Sequence, residues 1–100
     1  MSRKESLTIG RVHAFYSGRV QGVGFRYTAE RIALENGLVG CVKNLPDGRV
    51  ELICEGEKNK IEGFLSKIKE GALGLHIKKV DCEWEKPSHK YKDFCIEFCY

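Results

Sequence analysis

Residues 18–26 read GRVQGVGFR, and this run constrains the fold more than any other stretch of the chain. Three glycines, Gly18, Gly22 and Gly24, fall within seven positions. Glycine at that density serves a backbone that must take positive φ angles or let something approach it closely. The flanks say where the run sits. Before it, residues 9–17 alternate, with Val12, Ala14 and Tyr16 on one side and Arg11, His13 and Phe15 on the other, the period of a strand. After it, Phe25, Ala29, Ile32 and Ala33 recur at helical spacing until Asn36-Gly37 supplies a left-handed stop. The glycine run is therefore a strand-to-helix connection.

Further along, residues 38–44 and 49–55 are short β-rich runs joined by Leu45-Pro46-Asp47-Gly48. Proline presets one turn angle there and glycine permits a positive one, so the pair reads as a hairpin. Ile61, Phe64, Leu65 and Ile68 mark one face of a second helix that stops at Gly71. A loose connection follows over 72–76. Val80, Cys82 and Trp84 then alternate with Asp81, Glu83 and Glu85, and Phe94, Ile96, Phe98 and Tyr100 alternate with Cys95, Glu97 and Cys99. Both are strand patterns. The order predicts an α+β chain, a ferredoxin-like βαββαβ sandwich with an extra C-terminal strand. Its antiparallel sheet should have four to five strands with two helices on one face. Residues 1–8 are expected to be a flexible N-terminal segment and 9–100 a single domain, which at this length buries roughly two-thirds of its unfolded surface.

Composition narrows the function classes. With 42% hydrophobic and 31% charged residues the chain reads as an ordinary soluble globule, not a disordered or fibrous one. Its formal charge of +3 is spread along the sequence with no basic block, which mildly favours anionic ligands. No stretch approaches the ~18 apolar residues of a membrane span, and residues 1–8 lack the apolar core of a signal peptide. A cytoplasmic location without membrane contact is expected. Five cysteines, Cys41, Cys54, Cys82, Cys95 and Cys99, are odd in number and include no Cys-x-x-Cys pair, so free, mostly buried thiols are expected. His13, His76 and His89 are far apart, with no zinc spacing, so neither metal nor cofactor is expected. Nothing advertises an interface, and a monomer is expected.

The glycine run has chemical potential. Its backbone N–H groups can converge, and the following helix points its N-terminus, with unpaired donors and partial positive charge, at the same place. A phosphate dianion would be stabilised there; the other reading is a tight connection without a ligand. Neither a Walker A Gly-Lys-Ser/Thr nor a Gly-x-Gly-x-x-Gly spacing is present. Arg26 falls in the first helical turn, where a cation opposes the helix dipole. It is either a phosphate clamp with planar paired donors or a partner of Glu30 at i+4. Asn44, at the end of the second strand, is either a turn residue bonding backbone or an amide that holds a water. His13 reads as structural and not as a general base. Arg19 and Lys43 read as solvated charges, with mild steering of anions as the other option.

Taken together, GRVQGVGFR at 18–26 and GLVGCVKNLPDGRVE at 37–51 resemble the two-part signature of the acylphosphatases. The resemblance extends through FLSKIKEG at 64–71 and VDCEWE at 80–85. It implies a ferredoxin-like hydrolase, without metal or cofactor, that splits the carboxyl–phosphate bond of a small acyl phosphate into carboxylate and inorganic phosphate. It implies that the backbone of Gly18, Arg19, Val20, Gln21, Gly22 and Val23 cradles the phosphate. Arg26 would bind it as the essential cation, and Asn44 would position a water for direct attack with no covalent enzyme intermediate. Two departures stand out. Cys41 occupies a place where the family commonly carries tryptophan or another bulky residue, and residues 72–76 lack the proline-rich or arginine-containing character often seen there. The alternative is a non-catalytic anion- or RNA-binding ferredoxin-like module, but no strand carries the aromatic RNP1-type pattern of RNA readers, and no nucleic-acid partner is expected. Similar domains begin larger carbamoyl-transfer proteins; with the sequence ending at Tyr100, a free enzyme is expected.

Overall fold

The alternating and helical periods become, in the computed structural model, five strands and two helices. The structure describes residues 8–97. The expected N-terminal segment, Thr8 apart, and Phe98, Cys99 and Tyr100 of the expected last strand lie outside the described residues. The order is β1 (Ile9–Gly18), α1 (Phe25–Glu35), β2 (Val39–Asn44), β3 (Val50–Glu57), α2 (Lys58–Glu70), a 3-10 helix (Ala72–His76), β4 (Ile77–Glu85) and β5 (Phe94–Glu97). The segment expected to be a loose connection is thus a short helix, held by Leu73, which is buried.

The strands form one sheet in the order β4-β1-β3-β2-β5. β3 is central and antiparallel to both β1 and β2, and β1 is antiparallel to β4 as well. The expectation of a wholly antiparallel sheet fails at one edge, where β5 lies parallel to β2 with Cys41 opposite Cys95 and Val42 opposite Ile96. The reason is the route between the last two strands. β4 ends at one edge of the sheet and β5 lies at the other, so residues 86–93 cross the full width before pairing.

Alternation sorts the side chains to two faces. On one face Val12, Ala14, Val42, Leu52, Cys54 and Phe94 meet Phe25, Ala29, Ile32 and Ala33 of α1 and Ile61, Phe64 and Ile68 of α2. α1 lies over β2 and β5, and α2 over β1 and β3. Each fully buried Leu, Ile or Phe contributes about 1.5–3 kcal/mol by leaving water. The close strand packing is strict at Gly40, whose φ is +142° and where a Cβ would collide with the Ile53 carbonyl oxygen.

The other face is polar and is crossed by residues 86–93. Glu55, only 3% exposed, accepts hydrogen bonds there from Arg11 Nη1 at 2.9 Å, from the Ser88 backbone N–H and Oγ at 2.8 Å each, and from the His89 N–H at 3.2 Å. Burial by itself would raise the pKa of this carboxyl. The four donors outweigh it and hold the pKa down at about 2. The crossing segment is thereby pinned to β3 by a charged group that a hydrophobic count would not find.

Thiol burial divides evenly among the four described cysteines, all free: Cys41 and Cys54 are buried, Cys82 and Cys95 exposed. The expectation of mostly buried thiols therefore fails at Cys82 and Cys95. Cys82 faces the helix side of the edge strand β4, which α2 does not reach, and Cys95 faces the open side of β5.

Candidate active site

The phosphate-loop candidate begins where β1 is pressed against β4. Gly18 has φ +123°, the β1–β4 register shifts between Ser17 and Gly18, and a Cβ at Gly18 would collide with the His76 carbonyl oxygen and lie 2.7 Å from Lys78 N. Arg19 is exposed, and its N–H donates to His76 O at 2.9 Å. Val20 then turns fully inward and anchors the loop in the core. Two residues of the run therefore tie it to the start of β4 and the residue before it, and a third to the core.

Gln21 makes the next attachment. Its Nε2 donates to Leu45 O at 2.8 Å and to Arg49 O at 2.9 Å, so both amide hydrogens bridge to the turn between β2 and β3. That turn follows directly on Asn44, the last residue of β2. One glutamine side chain thus holds the glycine run beside the strand end that carries the second candidate residue.

Beyond Gln21 the backbone opens. Gly22 and Gly24 have φ of +80° and +79°, and no atom lies within 4 Å of where a Cβ would stand at either. Gly24 is the N-cap of α1, and its carbonyl accepts the Thr28 N–H at 3.0 Å. No side chain caps this helix end, and its first turn contains no acidic residue. The first-turn N–H groups of a helix have no partner within it, and together they carry about half a positive charge.

These pieces enclose a recess of about 140 Å³ lined by Val20, Gly22, Gly24, Arg26, Tyr27 and Asn44, with Phe25 beneath. Arg26 comes from the first turn of α1 and Asn44 from the end of β2; both are half-buried. Phe25 is buried against the Tyr16 ring at 4.9 Å between centroids, which fixes the helix start over β1. The recess offers a guanidinium, an amide and uncapped backbone donors around a space suited to a phosphate group.

Not every expected residue lines it. Gly18, Arg19 and Gln21 shape the loop from outside through the contacts just described. Val23 packs against the core from the other side of the loop. Tyr27, which no sequence argument singled out, does line the recess and is 63% exposed; its only signal was adjacency to Arg26. The bridging role of Gln21 was likewise invisible, since it depends on where the hairpin turn folds back.

His13 is on the polar face, with Nε2 at 2.6 Å from Glu51 Oε2 and Nδ1 at 3.6 Å from Glu85 Oε2. Lys43 pairs with the same Glu51 at 3.7 Å. Neither lines the recess. Among the described residues no group of three or more His, Cys, Asp or Glu is placed to hold a metal, and no helix is long and apolar enough to cross a membrane.

The acylphosphatase family model matches residues 12–96, which include every residue of this recess. The chain belongs to the acylphosphatase family. It is 42% identical over 90 residues to an acylphosphatase of Roseiflexus sp. (strain RS-1), covering 90% of this chain and 97% of the relative. It superposes on the crystal structure of acylphosphatase from Bacillus subtilis with a TM-score of 0.81 and 32% identity, over 90% of this chain and 99% of that one. The same architecture also forms part of a larger molecule: full-length HypF, in its phosphate- and nucleotide-bound form, matches with a TM-score of 0.79 at 32% identity, over 90% of this chain but 12% of HypF. The ferredoxin-like fold expected from the element order is thus the family's fold. The chain is an acylphosphatase by membership, a hydrolase of acid anhydrides whose substrate is a small acyl phosphate and whose product is phosphate.

Proposed function

We propose that acyl phosphates are hydrolysed in the recess at the start of α1, with Arg26 and the backbone of the later residues of the 18–23 loop holding the phosphate and Asn44 positioning the attacking water. The observation that carries this reading is the convergence of Arg26, Asn44, Gly22 and Gly24, drawn from three parts of the chain, on one 140 Å³ space at an uncapped helix N-terminus. Arg26 is suited to bind non-bridging oxygens through paired donors, and the backbone donors add charge stabilisation without any reorganisation. The Arg19 N–H is already committed to His76 O, so the cradle's donors come from the later residues of the loop.

The chemistry asks little more of the protein. A carboxylate is a good leaving group, so no general acid is needed, and most of the barrier yields to positioning and charge. Asn44 has both a donor and an acceptor with which to orient a water. The phosphate oxygens then take the water's proton as the P–O bond to the carboxylate breaks, giving inorganic phosphate and carboxylate. No enzyme group is acylated or phosphorylated in this scheme. The same reading has the chain acting as a monomer in the cytoplasm, independent of nucleic acid; free thiols at all four described cysteines suit a reducing compartment.

The test is hydrolysis of benzoyl phosphate in the presence of a chelator. Arg26→Ala should lose turnover by about 10²-fold or more and weaken phosphate inhibition. Asn44→Ala should lose turnover comparably while phosphate still inhibits at wild-type concentrations. Asn44→Ala with wild-type kcat would remove the water-positioning role, and undiminished phosphate inhibition in Arg26→Ala would remove the clamp.

A further inference from the structure

A larger cleft, about 340 Å³, opens where β4 begins, between that strand and α2. Its walls are apolar, Leu65 from α2 and Ile77 and Val80 from β4, and Tyr16 lies at its floor. Val80 sits on the helix-facing side of the sheet yet is 43% exposed, because α2 lies over β1 and β3 and leaves the edge strand uncovered. Two exposed lysines, Lys69 from α2 and Lys78 from β4, stand at the rim. Lys79 also borders the cleft, but its ammonium is paired with Asp81 at 3.7 Å.

Tyr16 is the second observation. Only 3% of it is exposed, and its ring packs on Phe25. Buried tyrosine hydroxyls ordinarily find a hydrogen-bond partner, whereas this one bonds to none of the described residues. Among the described residues no fully enclosed side-chain oxygen or nitrogen lacks a partner. The hydroxyl is therefore the part of Tyr16 that reaches the cleft, a donor that none of the described residues receives. Burial pushes its ionisation well above the usual tyrosine range, so it stays a donor across the physiological pH range.

We infer that this cleft is a binding site for an amphipathic carboxylate, with the apolar body on Leu65, Ile77 and Val80, an oxygen accepting from Tyr16 and the charge met by Lys69 and Lys78. Carboxylates are the organic product class of the reaction; the acyl end of a bound substrate shares with them the apolar body and a carbonyl oxygen that can accept from Tyr16, its charge being on the phosphate. The cleft also borders the anchor of the glycine run, since His76 O, in the residue just before β4, receives the Arg19 N–H. The site stands independently of the roles given to Arg26 and Asn44.

The probe is benzoate, titrated into the full chain and followed by amide chemical shifts, with inorganic phosphate as the comparison. Benzoate should shift Tyr16, Leu65, Ile77 and Val80, and phosphate should shift 22–26. Lys78→Glu should weaken benzoate binding about tenfold, and Tyr16→Phe severalfold, as expected for losing a charge-assisted hydrogen bond. Both changes leave the fold's core shape intact, and a wild-type unfolding midpoint verifies it. Kinetics of Lys78→Glu then separate the two sources. A raised KM for benzoyl phosphate with an unchanged KM for acetyl phosphate assigns the cleft to the substrate's acyl end, and unchanged KM for both assigns it to a free carboxylate. Benzoate shifts confined to 18–26 and Asn44, no shifts at millimolar benzoate, or wild-type affinity in both variants would overturn the site.

Discussion

In the first half of the run 18–26, Gly18 sits so close to β4 that a single added methyl would strike the His76 carbonyl, whereas in the second half Gly22 and Gly24 have no neighbour within 4 Å of a Cβ. All three have positive φ. The first half is fastened by the Arg19 N–H and by buried Val20; the second is held by Gln21, by the partly buried Val23 side chain and by the start of α1. Glycine thus serves packing at one end of the loop and, at the other, a turn that keeps space clear in front of backbone donors. One residue type in one motif carries a structural and a functional constraint, and substitution tells them apart.

The largest effect is expected at the packed end. Gly18→Ala adds both a collision with backbone and a side chain at positive φ, for a cost on the order of 4 kcal/mol. Chemical denaturation would measure it, and a loss below about 1 kcal/mol would mean that β4 yields and that the first half is not clamped.

Lowering stability to a similar degree without touching either half sharpens the comparison. Glu55 lies on the opposite face, and its folded pKa of about 2 is below its unfolded value near 4.5. A depressed carboxyl stabilises the fold above pH ~4.5 and ceases to do so as pH falls toward 2. Glu55→Gln should therefore cost about 3 kcal/mol at pH 7, with the gap to wild type closing between pH ~4.5 and ~2. Denaturation at a series of pH values reads it. Turnover at pH 7 and 25 °C should be unchanged, because the crossing segment and not the loop is loosened; a fall in kcat would couple this face to the recess.

The smallest stability effect belongs to the open end. Gly22→Ala and Gly24→Ala have room for the methyl and incur only the left-handed backbone cost, roughly 1 kcal/mol each. Their expected signature is a stability close to wild type with reduced turnover, since the methyl enters the space proposed for the phosphate. Stability losses matching Gly18→Ala would erase the distinction between the halves.

Much of this could be read from the chain. The alternation of Val12, Ala14 and Tyr16, the helical spacing of Phe25, Ala29, Ile32 and Ala33, and the stops at Asn36-Gly37 and Gly71 are local signals, and each reappears as an element boundary or a buried face. Arg26 and Asn44 were found through the motif pair, and the fold brings them to one recess. The exposure of Cys82 and Val80 could not be read, because a period of two says which side of a strand a residue occupies and nothing about whether a helix covers that side. Tyr27 and the bridging amide of Gln21 were missed for a related reason: their surroundings come from the β2–β3 turn and the helix start, assembled from distant residues.

By itself, then, the sequence determined the order and type of the elements, the polar and apolar side of each, and the glycine positions where the backbone must turn, since all of these follow from interactions a few residues long. Only the tertiary structure decided that β5 runs parallel to β2 and that an unpaired tyrosine hydroxyl opens beside an uncovered edge strand. It also decided that the Gly18 end of the loop is clamped while the Gly22 end is open. Those outcomes depend on which strand ends up at which edge, and that choice is made by packing two helices over five strands, a balance of long-range contacts that no local pattern encodes.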